Sequence, residues 1–262
     1  MTHARRQLTV FSALLVANAM LVFLSFALGL MDNLPGAEQL PEPLASMPKW
    51  VLGSANAVIV LVLYGLLGWA GYWFARRLSL PGIYREGAGQ RRWLVVPMVI
   101  GVVLGVVLIV GDRLFASWAE GWSGWSHPDF PLSILASATA GIGEEILFRL
   151  FVLGLWAFLL NLLLKRFGHQ RTALWMANII AALAFGAGHL PSAIVMLGVS
   201  TPAELPTVVL VEVFVLNGIA GVVAGKRYIR DGLIAAVGVH FWTDVVWHVL
   251  WPIASAGQSP AV

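Results

Sequence analysis

Ionisable side chains lie inside long apolar runs in the second half of the chain, where few charged residues are expected. In chain order they are Glu144, Glu145, Arg149, His189, Glu212, His240, Asp244 and His248. Carboxylates and imidazoles are the groups that most often transfer protons in general acid–base catalysis. A carboxylate or guanidinium costs about 2.5–3.5 kcal/mol at the centre of a membrane, so such residues are functional candidates by default.

The spacing of these residues separates one carboxylate from the others. Glu145 and Arg149 are four residues apart, so on a helix they share a face and can form an ion pair. Glu144 is rotated by about 100° from Glu145 and has no cation on its own face of the helix. His240 and Asp244 share a face in the same way. Glu144 must therefore find its partners on other helices.

Other polar residues in the apolar runs are less easily assigned. Phe185 and His189 are also four residues apart. His248 lies among tryptophans, which favours a position at the membrane interface. For Glu212 and Asn217 two interpretations stay open, since each can pack between helices or line a polar site.

The chemistry that this set of groups suits is peptide hydrolysis. A buried carboxylate can take a proton from water, and an imidazole can orient or share that proton. Two further hydrogen-bond donors would stabilise the oxyanion of the tetrahedral intermediate. The sequence has no cysteine, no Gly-x-Ser-x-Gly and no His-Glu-x-x-His. These absences argue against a cysteine or serine nucleophile and against a zincin-type zinc site.

The elements that must position these residues are membrane-spanning helices. Of 262 residues, 59% are hydrophobic and 11% are charged, whereas soluble domains have about 45–50% and about 25%. This composition excludes a soluble domain, a disordered chain and a fibrous protein. The net charge of +3 gives no reason to expect a nucleic-acid partner. We predict an all-α polytopic bundle of seven to eight spans in the lipid bilayer, with a polar intramembrane cavity.

Seven apolar stretches approach the roughly 20 residues that a crossing needs. The first follows two arginines, as a signal peptide would, but its 23 residues exceed a signal's usual core of about 7–15. We therefore interpret it as a membrane anchor. The fourth has 34 residues and is interpreted as one long, tilted or kinked helix. The stretches are 8–30, 50–74, 93–111, 131–164, 173–190, 206–225 and 232–253.

The loop charges predict the orientation. Lys and Arg residues precede the first stretch and follow the second, fourth and sixth, whereas the alternate loops hold acids such as Asp32, Glu38 and Glu204. Basic loops lie on the cytoplasmic side. We expect an integral protein of a bacterial plasma membrane with a cytoplasmic N-terminus. The loop after the third stretch holds three tryptophans that suit the headgroup layer: Trp118, Trp122 and Trp125.

Three motifs in this order resemble those of the CPBP family, also called Abi, which comprises CAAX proteases and bacteriocin-processing intramembrane endopeptidases. Glu-Glu-x-x-x-Arg lies at 144–149, Phe-x-x-x-His at 185–189, and His-x-x-x-Asn or Asp at 240–244. The resemblance covers about residues 131–247, including a glycine-rich stretch at 214–225. It implies a membrane-embedded CAAX-type endopeptidase that acts on a membrane-associated peptide or protein.

The resemblance also implies roles for individual residues. Glu144 resembles the general base that activates water, and His189 resembles its partner. Glu145 resembles the structural glutamate that pairs with Arg149, and Phe185 opens the second motif as a supporting residue. His240 with Asp244 resembles the oxyanion-stabilising pair.

The third motif differs from that of the eukaryotic CAAX protease, which has asparagine where this chain has Asp244. An ionised aspartate cannot donate a hydrogen bond. Asp244 must then be protonated, orient His240 as an acceptor, or help to bind a metal. Zinc is the candidate metal, with Glu144, His189, His240 and Asp244 as its possible ligands. We favour a mechanism without a required metal, because this spacing matches no established zinc site.

Two other classes of function stay open at this point. A proton- or ion-coupled transporter also places acids and histidines inside the membrane. A non-catalytic immunity or peptide-binding protein could use the same cavity. We divide the chain into N-terminal helices with the tryptophan-rich loop at 1–130, a catalytic core at 131–253 and a short tail at 254–262. A prenyl-like group on the substrate is compatible with the resemblance.

Overall fold

The chain folds into a bundle of long helices. The structure is a computed structural model that describes residues 2–33 and 42–256, and these residues contain no strand. The prediction of an all-α polytopic bundle is confirmed. Glu38 and residues 257–262 of the predicted tail lie outside the described residues. Seven helices are long and apolar enough to cross a membrane: α1 (His3–Ala27), α2 (Lys49–Arg77), α3 (Arg91–Ala116), α4 (Leu132–Phe167), α5 (Gln170–Leu197), α6 (Thr207–Asp231) and α7 (Leu233–Ser255).

Two helices differ from their predicted extent in ways that affect the site. α3 continues to Ala116, five residues beyond the predicted end at 111, so that Asp112 is a buried residue of the helix. α5 is interrupted after Gly188 and resumes at Leu190. Pro191 is compatible with this new helix start, because the first turn of a helix needs no backbone N–H donor. The interruption falls at the motif histidine.

Helix α4 is a single long helix, as its length predicts, but its winding changes at the motif. The segment Leu132–Glu145 is α-helical and Ile146–Leu153 is π-helical. Helix α7 has the same sequence of windings, with a π-helical segment over Val245–Leu250 directly after Asp244. A π turn inserts residues into the regular ladder and is frequent at functional sites. These two π segments begin immediately after an acidic motif residue, unlike the π segments Val60–Tyr64 of α2 and Arg91–Val95 of α3.

Glycines allow α3 to pack directly against α7. A Cβ atom added to Gly101 would stand 2.6 Å from the Val239 carbonyl oxygen, and one added to Gly105 would stand 2.9 Å from that of Thr243. Small residues let membrane helices approach backbone to backbone, which gains van der Waals contact. This contact fixes the position of the part of α7 that carries the third motif.

Most of the arginines lie at one end of the bundle, which is called the basic end. It comprises the loops 78–90 and 168–169, the α6–α7 junction and the helix termini beside them. The fully buried Asp231 carboxylate stands 2.6 Å from Arg227 Nη2, 3.3 Å from Arg92 Nε and 4.0 Å from Arg85 Nε. Among the described residues, the opposite end comprises the segments 28–33, 42–48, 117–131 and 198–206.

A large apolar cluster lies between the middle of the bundle and the basic end. Backbone hydrogen bonds join the 78–90 loop to α7, from Leu233 N to Gly82 O (2.9 Å) and from Ile234 N to Ile83 O (3.0 Å). Gln7 of α1 completes this junction, because its Oε1 accepts the Ile83 N–H at 2.8 Å. Its largest fully buried apolar members are Ile83, Ile146, Leu150, Leu153, Tyr228 and Leu233.

Replacing Gly101 with alanine should destabilise the bundle, because the added methyl group would overlap backbone atoms of α7 that cannot rotate away. We expect a loss of about 1–3 kcal/mol, seen as a lower thermal unfolding temperature in detergent. Gly218→Ala is the matched control, since nothing lies within 4 Å of its added carbon. Equal unfolding temperatures for the two variants would contradict the α3–α7 contact.

Candidate functional site

A cavity of about 430 Å³ lies between α3, α4, α5, α6 and α7, and the 117–131 loop forms part of its wall. The three motifs are distant in the sequence but converge on this one space. Apolar side chains such as Leu104, Leu216 and Trp247 form the remaining walls. The motif residues that line it are Glu144, Glu145, Arg149, Phe185, His189, His240 and Asp244.

Glu145 is bound from two sides. Its Oε2 stands 3.2 Å from Arg149 Nε, and its Oε1 stands 2.8 Å from His240 Nδ1. Both partners of the ion pair are almost inaccessible, with side-chain exposures of 0% and 1%. Because a carboxylate paired with a guanidinium accepts hydrogen bonds only, His240 Nδ1 must carry the proton. Glu145 thus joins α4 to α7 and sets the orientation of the His240 ring.

Glu144 has a different environment from its neighbour in the sequence. Its side chain is 34% exposed and lines the cavity, although its Oε2 is itself buried and has no hydrogen-bond partner. His240 Nε2 lies 3.9 Å from this oxygen, beyond hydrogen-bond range. The arrangement leaves Glu144 as a carboxylate that faces the cavity and can bind a further molecule.

Asp244 faces the second nitrogen of His240. The distance from Asp244 Oδ2 to His240 Nε2 is 3.5 Å, the outer limit for a hydrogen bond. The imidazole therefore lies among three carboxylates, two from α4 and one from its own helix. This geometry favours the interpretation of Asp244 as an acceptor that orients His240.

His189 is placed by the interruption in α5. Its Nδ1 lies 2.8 Å from the Phe185 carbonyl oxygen, which can only accept, so Nδ1 carries the proton. Nε2 is then the nitrogen available to the cavity. The Phe185 ring packs against both histidines, with centroid distances of 4.8 Å to His189 and 5.6 Å to His240. The Arg149 guanidinium carbon lies 4.4 Å from the Phe185 ring centroid, a cation–π contact that adds to its ion pair.

Two of the loop tryptophans are hydrogen-bonded to α6. Trp122 and Trp125 donate their indole N–H groups to Glu212, at 2.8 Å to Oε2 and 3.1 Å to Oε1. The backbone N–H of Trp125 also donates to Asp112 Oδ1 at 3.0 Å. Glu212 is fully buried and does not line the cavity. It instead fixes the 117–131 loop onto α6, a role that its sequence position alone did not indicate.

His248 lines the cavity, which differs from the interfacial position expected for it. Its Nδ1 lies 2.9 Å from Nδ1 of His127, a loop residue. Burial is the larger cause and the neighbouring His248 the smaller cause that lower the pKa of His127 to about 4. His127 is therefore neutral near pH 7. Asn217 also lines the cavity, and its amide Nδ2 donates to the Val213 carbonyl oxygen at 2.8 Å.

The site was also compared with the requirements of a zinc ion. Within residues 2–33 and 42–256, no group of three or more His, Asp or Glu side chains has the spacing of a metal site. His240 Nδ1 is bonded to Glu145 and His189 Nδ1 faces a carbonyl, so each histidine could offer only its Nε2. One nitrogen is all that a metal-ligating histidine uses, so only the spacing of the described side chains argues against the four-ligand set considered from the sequence.

A comparison with known families matches the region of the chain that forms the cavity. Residues 126–246 match the family described as "Rce1-like: Type II CAAX prenyl endopeptidase Rce1-like". The matched region includes every motif residue from Glu144 to Asp244. Comparisons with curated proteins and with solved structures found no match.

Replacing Glu212 with leucine should loosen the 117–131 loop, because two indole N–H groups lose their acceptor. Each buried unsatisfied donor costs about 1–3 kcal/mol. We expect a lower unfolding temperature and faster cleavage of this loop by an added protease. Glu212→Gln keeps one carbonyl acceptor and should lose less. The exposed Glu120→Leu is the control, and loop cleavage at the same rate in Glu212→Leu and Glu120→Leu would refute the assignment.

Proposed function

Since residues 126–246 belong to the Rce1-like family of CAAX prenyl endopeptidases, we propose that this integral membrane protein hydrolyses peptide bonds with water activated by Glu144. The family supports a peptidase of the CAAX-protease type. The role of each side chain is our proposal.

The observation that carries the proposal is the contrast between two adjacent glutamates. Glu145 has no exposed surface, forms an ion pair with Arg149 and accepts a hydrogen bond from His240, whereas the Glu144 side chain is 34% exposed and lines the cavity. A general base must reach the water whose proton it removes, which a fully buried carboxylate cannot do. Only Glu144 of this pair meets that condition.

The reaction begins when Glu144 removes a proton from a bound water molecule. The resulting hydroxide attacks the carbonyl carbon of the peptide and forms a tetrahedral intermediate. Glu144 then returns the proton to the leaving nitrogen as the C–N bond breaks, so that the products are a carboxylate and an amine. His189 Nε2, the unprotonated nitrogen, accepts a hydrogen bond from the water and holds it for attack.

His240 is assigned to the developing oxyanion. Its Nδ1–H is held by Glu145, and the neighbouring carboxylates support a proton on Nε2 that can be donated to the oxyanion. Asp244 positions the ring as an acceptor and donates nothing itself. Asn217, whose amide reaches the same cavity, is a neutral donor available to a substrate carbonyl.

Glu144→Gln should lower the rate of peptide hydrolysis by about 10²–10⁴-fold, the range that a general base contributes. The amide has the same shape but accepts no proton from water, so the unfolding temperature should be unchanged. The measurement is fragment release from a panel of quenched fluorescent peptides by purified protein in detergent.

The matched control is Glu120→Gln, a change at an exposed acid of the 117–131 loop, which should retain full activity. Undiminished hydrolysis by Glu144→Gln would exclude this residue as the base. A loss of activity with a large drop in the unfolding temperature would also count against the proposal, because Glu144 would then be structural.

A further inference from the structure

The two ends of the bundle differ sharply in charge. Thirteen of the 16 Lys and Arg residues lie at or beside the basic end, in the segments 5–6, 76–92, 165–171 and 226–230. The loops of the opposite end hold mainly acids, among them Asp32, Glu120, Asp129 and Glu204. Lys- and Arg-rich loops stay on the cytoplasmic side of a membrane. The opposite end is therefore the extracytoplasmic end.

Buried side chains close the bundle between the motif residues and the basic end. The apolar cluster that contains Ile146, Leu150 and Leu153 of α4 fills the space between the motif residues and the basic loops, and these side chains have no exposed surface. The junction of Asp231 with three arginines lies beyond the cluster. No residue of the segments 76–92, 165–171 or 226–234, all of which the structure describes, lines the cavity.

The cavity extends instead toward the opposite end. Its wall includes Trp125, Ser126 and Pro128 of the loop, together with Ser192 and Met196 from the last part of α5. Glu144 lies 12 residues from the start of α4 and 23 from its end. At 1.5 Å per residue these are about 18 Å and about 34 Å, so the carboxylate is nearer to the extracytoplasmic end.

From these observations we infer that the site takes its substrates from the extracytoplasmic face. The substrate class is a peptide segment that is exposed on that face next to the membrane, such as part of an exported or membrane-anchored chain, and not a peptide of the cytoplasm. Access from this side concerns the cavity alone, whereas the class of substrate rests on the proposed peptidase function.

Accessibility of single cysteines tests the side of access, since the natural chain has no cysteine. Three variants are labelled with a membrane-impermeant thiol reagent: Ala220→Cys in the cavity wall, Ser123→Cys in the 117–131 loop, and Gln90→Cys in the basic loop. Right-side-out and inverted membrane vesicles expose one face each. Ser123→Cys and Gln90→Cys report the two faces and also test the orientation itself.

In right-side-out vesicles we expect Ala220→Cys and Ser123→Cys to react and Gln90→Cys to stay unlabelled. In inverted vesicles Gln90→Cys should react, and labelling of Ala220→Cys should be at least tenfold slower than from the other face. Faster labelling of Ala220→Cys from the face on which Gln90→Cys reacts would overturn the inference. So would a failure of Ala220→Cys to react from either face, because water would then not reach the cavity.

Hydrolysis in the same vesicles separates this inference from the proposed function. A quenched fluorescent peptide added outside should release fragments with right-side-out vesicles and not with inverted ones. Hydrolysis by inverted vesicles alone would support the peptidase and overturn the inferred side. Labelling as expected without hydrolysis on either side would leave the access route standing and count against the peptidase.

Discussion

The ion pair between Glu145 and Arg149 is the interaction on which the site depends. Two opposite charges with almost no exposed surface are held 3.2 Å apart inside a membrane protein, where either charge alone would be strongly unfavourable. The pair also fixes its surroundings. Glu145 holds His240 of α7, and Arg149 lies over the Phe185 ring of α5. One buried contact therefore determines where three helices meet, and it leaves Glu144 as the carboxylate that is free to react.

Three features of the surrounding fold support this arrangement. Glycines of α3 bring α7 into backbone contact, so that the third motif has little freedom to move away from the first. At the end opposite the basic end, Glu212 holds two tryptophans of the 117–131 loop, whose neighbouring residues form part of the cavity wall. At the basic end an apolar cluster closes the bundle. The cavity is thus bounded differently on its two sides, by buried apolar side chains toward the basic end and by the hydrogen-bonded 117–131 loop toward the opposite end.

The sequence predicted the helical class, the seven spans and the residues that converge, because apolar length and i,i+4 spacing are local properties. It could not predict partners across helices. The bond between Glu145 and His240 joins residues 95 positions apart, and neither spacing nor hydropathy encodes it. Trp122 and Trp125 were expected at the headgroup layer because tryptophan is common there, and that depth stays a prediction. Their shared acceptor, Glu212, lies 90 and 87 positions later and was not predicted. The contact of His248 with His127 was missed for the same reason, since His127 comes from a loop. The division of the chain at residues 130 and 253 stays a prediction.

A double-mutant cycle on the free energy of unfolding tests the central ion pair most directly. Glu145→Gln and Arg149→Met are measured singly and together by denaturant unfolding in detergent micelles, and the same is done for Glu144→Gln with Arg149→Met. Breaking a buried pair costs about 3–5 kcal/mol, and removing both charges restores much of it. We predict a coupling of about 2 kcal/mol or more between Glu145 and Arg149, and less than half of that between Glu144 and Arg149. Equal couplings, or a larger one for Glu144, would show that the guanidinium neutralises both acids and that neither is free to activate water.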